Sequence, residues 1–272
     1  MQALPECTTL RRLGVADNGA GDKPAARLAE LVAAGTCYLS AVDFSGNKVG
    51  KKPVLALLGA LTSPSARLTA LRLADTELPK AAAAAPLADL AHSHVARLAF
   101  PNAKLPKAAL ATLAALLGSC SSLRALDLSG NTLPADALAA FGSALRGAQH
   151  LERLDLSRCT TKPDALGAFC AAAAGNSSLR RLALNGVRWS ASALGELAAL
   201  LNTHASRIAT VELRGLVAPQ AAVAEFFRAL SNTGALSCID LRGAKISRIE
   251  LAQNYLRLTN VHCVFSPDVP AK

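Results

Sequence analysis

Residues 123–131 read Leu123-Arg124-Ala125-Leu126-Asp127-Leu128-Ser129-Gly130-Asn131, with apolar residues at positions one, four and six and a Ser-Gly-Asn turn behind them. Apolar residues two apart face one side of a strand, and Gly beside Asn marks where the strand ends. The same L-x-x-L-x-L spacing opens at Leu10, Leu39, Leu68, Val95, Leu123, Leu151, Leu179, Ile208 and Leu236. The starts lie 29, 29, 27, 28, 28, 28, 29 and 28 residues apart. Nine recurrences at so narrow an interval do not arise from Leu-rich composition, and self-similarity at this period is the mark of a stacked repeat architecture.

Each unit carries a second signature. Apolar residues 15, 18 and 22 positions after the opening residue form one helix face, as in Leu110-Leu113-Leu117, Leu138-Phe141-Leu145, Leu194-Leu197-Leu201 and Val223-Phe226-Leu230. Pro106, Pro134, Pro163, Ser190 and Pro219 sit where a fixed φ or a capping hydroxyl suits a first helical turn. The unit is therefore strand, loop, helix, return. It is too small to bury both its strand and its helix stripe alone, so units must stack. Helices are wider than paired strands, roughly 10 Å against 4.8 Å, so the sheet lines the concave side. The predicted fold is a right-handed α/β solenoid, a horseshoe with its parallel sheet concave and its helices convex. Runs such as Ala171 to Ala174 let neighbouring helices approach closely.

L-x-x-L-x-L-x-x-N-x-L at 28 or 29 residues resembles the leucine-rich-repeat proteins of the ribonuclease-inhibitor type, over nearly the whole chain. In that family the Asn ties the turn after the strand, and Cys can replace it. Here the ninth position holds Asn18, Asn47, Asn131 and Cys159, but Thr76, Ala103, Val187, Leu216 and Ala244 elsewhere. Those five departures predict less regular turns. The domain reading is one solenoid over 1–272, with nine regular repeats in 10–260 and a degenerate repeat or tail in 261–272. Pro86 interrupts the third unit, which predicts a shortened helix starting near it. The first repeat begins at residue 10 with no polar capping unit, so a neighbouring chain or domain is expected to cover that end.

The 272 residues are 51% hydrophobic and 18% charged, enough apolar material for a continuous core. Aromatics are only 4%, so that core is aliphatic and layered. Seven Cys with no C-x-x-C pair point away from a disulfide framework and toward a reducing compartment. The longest uncharged run, Ala108 to Leu123, is 16 residues, short of a membrane span, and no signal pattern opens the chain. A soluble, intracellular, cytoplasmic protein is expected. The net charge of +10 permits an anionic partner without identifying one.

Little in the sequence speaks for catalysis. No phosphate-binding loop, nucleophile elbow or zincin motif occurs. His92 and His94 have a metal-like spacing but no companion ligands, so a surface loop is the reading. Trp189 falls in a slot filled by Leu78, Leu105 and Leu133 in sister units, which predicts core. Cys170 and its fellows read as inert packing. No catalytic, metal, cofactor or small-molecule site is expected.

Register identifies the side chains that project from the sheet at the third, fifth and seventh positions. The fifth reads Gly14, Asp43, Arg72, Ala99, Asp127, Asp155, Ala183, Glu212 and Asp240; the third adds Arg12, Arg97, Arg153 and Arg181, and the seventh Arg214 and Arg242. Two readings stand side by side: a mutually neutralised, solvated face, and a mixed-charge recognition strip of Asp127, Asp155, Arg153, Arg181, Glu212, Arg214, Asp240 and Arg242. A second cluster, Lys48, Lys51, Lys52, Lys80, Lys104 and Lys107, is placed on the strand-to-helix loops as a basic rim. Such a rim suits nucleic acid, anionic lipid or an acidic protein, against the plain reading that loops favour Lys for solubility.

The favoured function is a non-catalytic protein-protein interaction scaffold using the concave sheet and the basic rim, as a subunit of a larger cytoskeletal or ciliary assembly. Within the resembling class, the CARMIL-type regulators of capping protein and the tropomodulins share L-D-L-S-G-N units like that of Leu126 to Asn131. One alternative is an RNA- or acidic-partner-binding subunit of a ribonucleoprotein complex. Another is a GTPase-activating protein of the Ran-activator type, although those carry a strongly acidic tail and this chain ends Pro270-Ala271-Lys272.

Overall fold

The computed structural model describes Leu4 and residues 6–79, 84–230, 233–246 and 261–265. The chain forms two compact units, Met1–Asn131 and Thr132–Lys272. The first holds β1 (Arg12–Gly14), α1 (Asp22–Ala33), β2 (Ala41–Asp43), α2 (Lys51–Ala60), β3 (Ala70–Arg72), α3 (Ala84–Asp89), β4 (Arg97–Ala99), α4 (Lys107–Ser119) and β5 (Ala125–Asp127). The second holds α5 (Ala135–Gly147), β6 (Arg153–Asp155), α6 (Pro163–Ala173), β7 (Arg181–Ala183), α7 (Ala191–Asn202), β8 (Thr210–Glu212), α8 (Gln220–Ala229), β9 (Cys238–Asp240) and β10 (His262–Val264).

Strands β1 to β9 are the third, fourth and fifth positions of the nine repeats, so the sequence register and the structural register coincide. In the first unit β1 to β5 pair in parallel in chain order, position on position. In the second, β6 to β9 do the same and β10 adds a further strand beside β9. The apolar residues at positions one, four and six go inside, with Leu123, Leu126 and Leu128 at 2% exposure or less. The helix stripes are buried too: Leu110, Leu113, Leu138, Phe141, Leu194, Leu197 and Phe226 belong to the core. Helices α5 and α6 pack closely enough that a Cβ built on Gly142 would lie 2.6 Å from the Phe169 carbonyl oxygen. Only a residue without a side chain fits there. In the third repeat Ala84–Asp89 is helical and runs into a 3-10 turn at Leu90–His92, while residues 80–83 before it lie outside the described ones.

The turns correct the sequence expectation. All nine units place their eighth residue in the left-handed region, at φ between 51° and 71°. Five are Gly, three are Asp17, Asp75 and Asn102, which tolerate that region, and Arg158 is the exception. Units lacking the ninth-position Asn share this eighth-position geometry, but the fourth repeat, with Ala103 at position nine, takes a further left-handed residue at Lys104 (φ 46°), so part of the expected irregularity is present there. The reason lies in the backbone, because the eighth N–H donates to the seventh carbonyl of the next repeat and extends the ladder past the strand. Asp75 donates to Pro101 at 2.8 Å and Asn102 to Ser129 at 2.9 Å in the first unit; Gly186 donates to Arg214 and Gly215 to Arg242, both at 2.8 Å, in the second.

Asn18 of the first repeat is exposed and bonds, among the described residues, only to Ala16 O, at 2.9 Å, but the Asn of two later repeats acts as a rivet. Asn47 Nδ2 donates to Val15 O at 2.8 Å and Phe44 O at 3.0 Å, and its Oδ1 accepts from Ala20 N at 2.8 Å, joining two repeats. Asn131 does likewise with Phe100 O and Leu128 O, both at 2.8 Å.

Two outcomes follow for denaturant unfolding. Gly130→Val is expected to lose about 2 kcal/mol or more, since φ is positive and a Cβ there would meet Asn102 Oδ1 at 1.8 Å. Asn47→Ala is expected to lose about 2 kcal/mol by orphaning buried backbone groups. A change under about 0.5 kcal/mol in either variant would contradict this account of the turn.

Candidate interaction surface

The open face of each sheet carries the third, fifth and seventh side chains. Its carboxylates have a structural duty first. Oδ1 of Asp43 accepts the Ser45 N–H at 3.0 Å, that of Asp127 the Ser129 N–H at 3.0 Å, that of Asp155 the Ser157 N–H at 2.8 Å, and that of Asp240 the Arg242 N–H at 3.2 Å. Each is an Asx-type turn that ties the strand end to the residue two further on. The D-x-S spacing of Asp43, Asp127 and Asp155 carries this use, which neither of the two sequence readings of the column included.

In the second unit five residues of the expected strip, Arg181, Glu212, Arg214, Asp240 and Arg242, lie together. Arg181 pairs with Glu212, Arg214 lies 3.6 Å from Glu212 Oε2, and Arg214 Nε donates to Asp240 Oδ2 at 2.7 Å. Arg242 Nη2 reaches the same Asp240 oxygen at 2.6 Å. Asn185, which the sequence reading passed over, donates from Nδ2 to Glu212 at 2.9 Å and to Ser157 Oγ at 3.1 Å. The partners differ sharply in burial: the Glu212 and Asp240 side chains are 7% and 8% exposed, against 51%, 43% and 45% for Arg181, Arg214 and Arg242. Carboxylates below thus hold guanidiniums above. Burial works against the charge on Asp240, but hydrogen bonds from Arg242 and Arg214 outweigh it and hold its carboxyl at about 2. Arg153 stands exposed beside Arg181 in the pairing register, with no carboxylate partner among the described residues.

In the first unit the partner of Asp127 is Arg72, whose Nη1 lies 3.1 Å from Oδ2. Arg72 spans the small Ala99 of the intervening strand to make that contact, and its Nε sits 3.8 Å from Asp43 on the other side.

The basic rim is less uniform than the sequence suggests. Lys48 and Lys104 are exposed in turns, but Lys51 and Lys52 open α2 and Lys107 opens α4, so these three occupy first helical turns rather than loops. Lys80 lies outside the described residues. Exposed Asp75 and Glu77 sit in the intervening repeat and dilute the positive charge. His92 and His94 are exposed, and Trp189 is buried at 4%. None of the seven cysteines is joined in a disulfide. No helix among the described residues is long and apolar enough to cross a membrane.

A family model described as leucine-rich repeat matches residues 119–142, the segment that contains the Leu-Asp-Leu-Ser-Gly-Asn turn. The matched segment carries the leucine-rich-repeat pattern. No curated protein matches the chain. Among solved structures, an internalin from Listeria monocytogenes is similar at 16% identity and a TM-score of 0.46 over 84% of this chain. The match spans 60% of the internalin chain's length.

Two measurements check the surface. Because the folded carboxyl of Asp240 titrates below its ordinary value, its stabilisation is complete above about pH 4 and is lost as pH falls toward 2. Asp240→Asn should therefore cost about 1 kcal/mol at pH 7, less than the full shift implies because solvent screens this open face. Its deficit should vanish on acidification; a deficit unchanged at pH 2 would contradict the ion-pair account. Under iodoacetamide, exposed Cys7 should alkylate first. Cys170, whose thiol is pushed far up by burial and then by Glu196, should react only after unfolding. Early labelling of Cys170 in mass spectrometry would refute its place in the core.

Proposed function

We propose that this leucine-rich-repeat chain is a non-catalytic scaffold that holds a protein partner on the open face of its sheet, within a larger cytoskeletal or ciliary assembly. Leucine-rich repeats are typically binding modules, and among their possible surfaces one observation favours this face. Arg181, Arg214 and Arg242 present half-exposed guanidiniums on buried carboxylates. A guanidinium already held in place loses little side-chain entropy on binding, and Arg is among the residues that dominate interface energetics. The proposed contact set is Arg153, Arg181, Arg214 and Arg242. Asp127, Asp155, Glu212 and Asp240 set the geometry of the face, and the rim of Lys48, Lys51, Lys52, Lys80, Lys104 and Lys107 is an accessory.

The test is quantitative affinity purification from cell extract with three baits: wild type, Arg153/Arg181/Arg214→Ala, and Lys48/Lys51/Lys52/Lys104/Lys107→Glu. The arginine variant is expected to lose the main protein partner while the lysine variant retains it. Loss confined to the lysine variant, with RNA or an acidic protein as the lost species, would overturn this reading in favour of a polyanion-binding rim.

A further inference from the structure

The open face of the first unit carries a feature of a different kind from the charge ladder of the second. Over β1 to β4 its open face forms a concavity of about 610 Å³. Ala41 and Ala70 at third positions, with Gly14 and Ala99 at fifth positions, line its floor with almost no side-chain bulk. Arg12 and Arg97 stand at its two ends in the third-position column, and Arg72 and Asp43 lie between them.

The arginines of this unit differ in what they touch. Arg11 and Arg67 stack on the Tyr38 ring at 5.3 and 4.4 Å from its centroid. Arg72 is shared by Asp43 and Asp127. Arg12 and Arg97 are exposed and have no ion pair or side-chain hydrogen bond among the described residues. The concavity thus brings together three guanidiniums and one lining carboxylate, Asp43, which is already engaged by Arg72 and by the Ser45 N–H.

We propose that this concavity is a binding site for an acidic peptide segment of a partner protein, laid across the strands with carboxylates on Arg12 and Arg97. The spacing suits such a ligand. Third-position residues three strands apart are separated by about 14 Å at the backbone, from ~4.8 Å per strand. In an extended peptide, residues i and i+4 share a face and are also about 14 Å apart. The floor of Gly and Ala lets a main chain come close to the sheet, and each carboxylate gains a guanidinium suited to bidentate pairing. Single-stranded nucleic acid is the less apt occupant, because such sites stack bases on aromatic side chains and no aromatic lines this concavity. The inference rests on the open face being the binding face and adds the chemistry of the occupant.

The probe is a fluorescein-labelled peptide of ten glutamates, titrated by fluorescence anisotropy at low salt beside a ten-glutamine peptide and a ten-nucleotide oligo-dT. Wild type should bind the glutamate peptide and not the glutamine one. Arg12→Ala/Arg97→Ala should weaken it about tenfold or more. Arg12→Lys/Arg97→Lys, which keeps the charge and loses the fork, should fall between the two. Thermal unfolding of both variants should match wild type, since neither arginine has an ion-pair or side-chain hydrogen-bond partner to lose among the described residues. The proposal is overturned if wild type fails to bind the glutamate peptide, if the alanine variant binds it as wild type does, or if oligo-dT binds more tightly. Each of those results leaves the purification test of the second unit standing, so the two readings fail separately.

Discussion

Each repeat must leave its strand through one residue with positive φ, and that constraint governs the rest of the molecule. A strand of three residues is too short to define its own direction. What fixes it is the eighth position, where the chain reverses curvature and its N–H reaches the carbonyl of the next repeat. Since this bond belongs to the backbone, the turn survives whatever stands at position nine. Asn47 and Asn131 add buried hydrogen bonds across repeats, whereas Ala103, Val187 and Leu216 simply fill the space.

The same turn decides what the open face can present. With the strand end held, a carboxylate at position five lies within reach of the N–H at position seven, so Asp43, Asp127, Asp155 and Asp240 are drawn down against the backbone. Arginines beside them have longer stems and stay outside. In the second unit this yields guanidiniums propped on buried acids. In the first unit, small residues at neighbouring positions leave Arg12 and Arg97 without such props and open a concavity between them. A face that is nearly balanced in formal charge therefore offers mainly cations to a partner.

Most of the fold was legible in the sequence because it rests on periodicity. The nine L-x-x-L-x-L starts predict the strands, and the stripes at 15, 18 and 22 predict the buried helix faces, because both follow from which residues must leave water. The turns were half legible: Lys104 bears out the irregularity expected where Ala103 replaces Asn, while the determining column of Gly, Asp and Asn sits one place earlier and is broken by Arg158. The candidate surface was half legible. Register identified which side chains project, but not that Glu212 and Asp240 would be buried beneath their partners, nor that Asn185 would join them. Those outcomes depend on side-chain lengths across adjacent strands, which a one-dimensional pattern does not display. Lys51, Lys52 and Lys107 belong to helices rather than loops because α2 and α4 begin twelve residues after the opening residue of their repeats.

The most direct test of this account is residue-resolved amide hydrogen exchange at the eighth positions. Asp75, Asn102, Gly186 and Gly215 all precede a residue other than Asn, and each donates its N–H to the next repeat. The account predicts that these four amides are protected as strongly as Gly46, which precedes Asn47. Fast exchange at the four, with protection kept at Gly46, would show that the asparagine rather than the left-handed backbone holds the turn, and would remove the foundation on which the geometry of the open face rests.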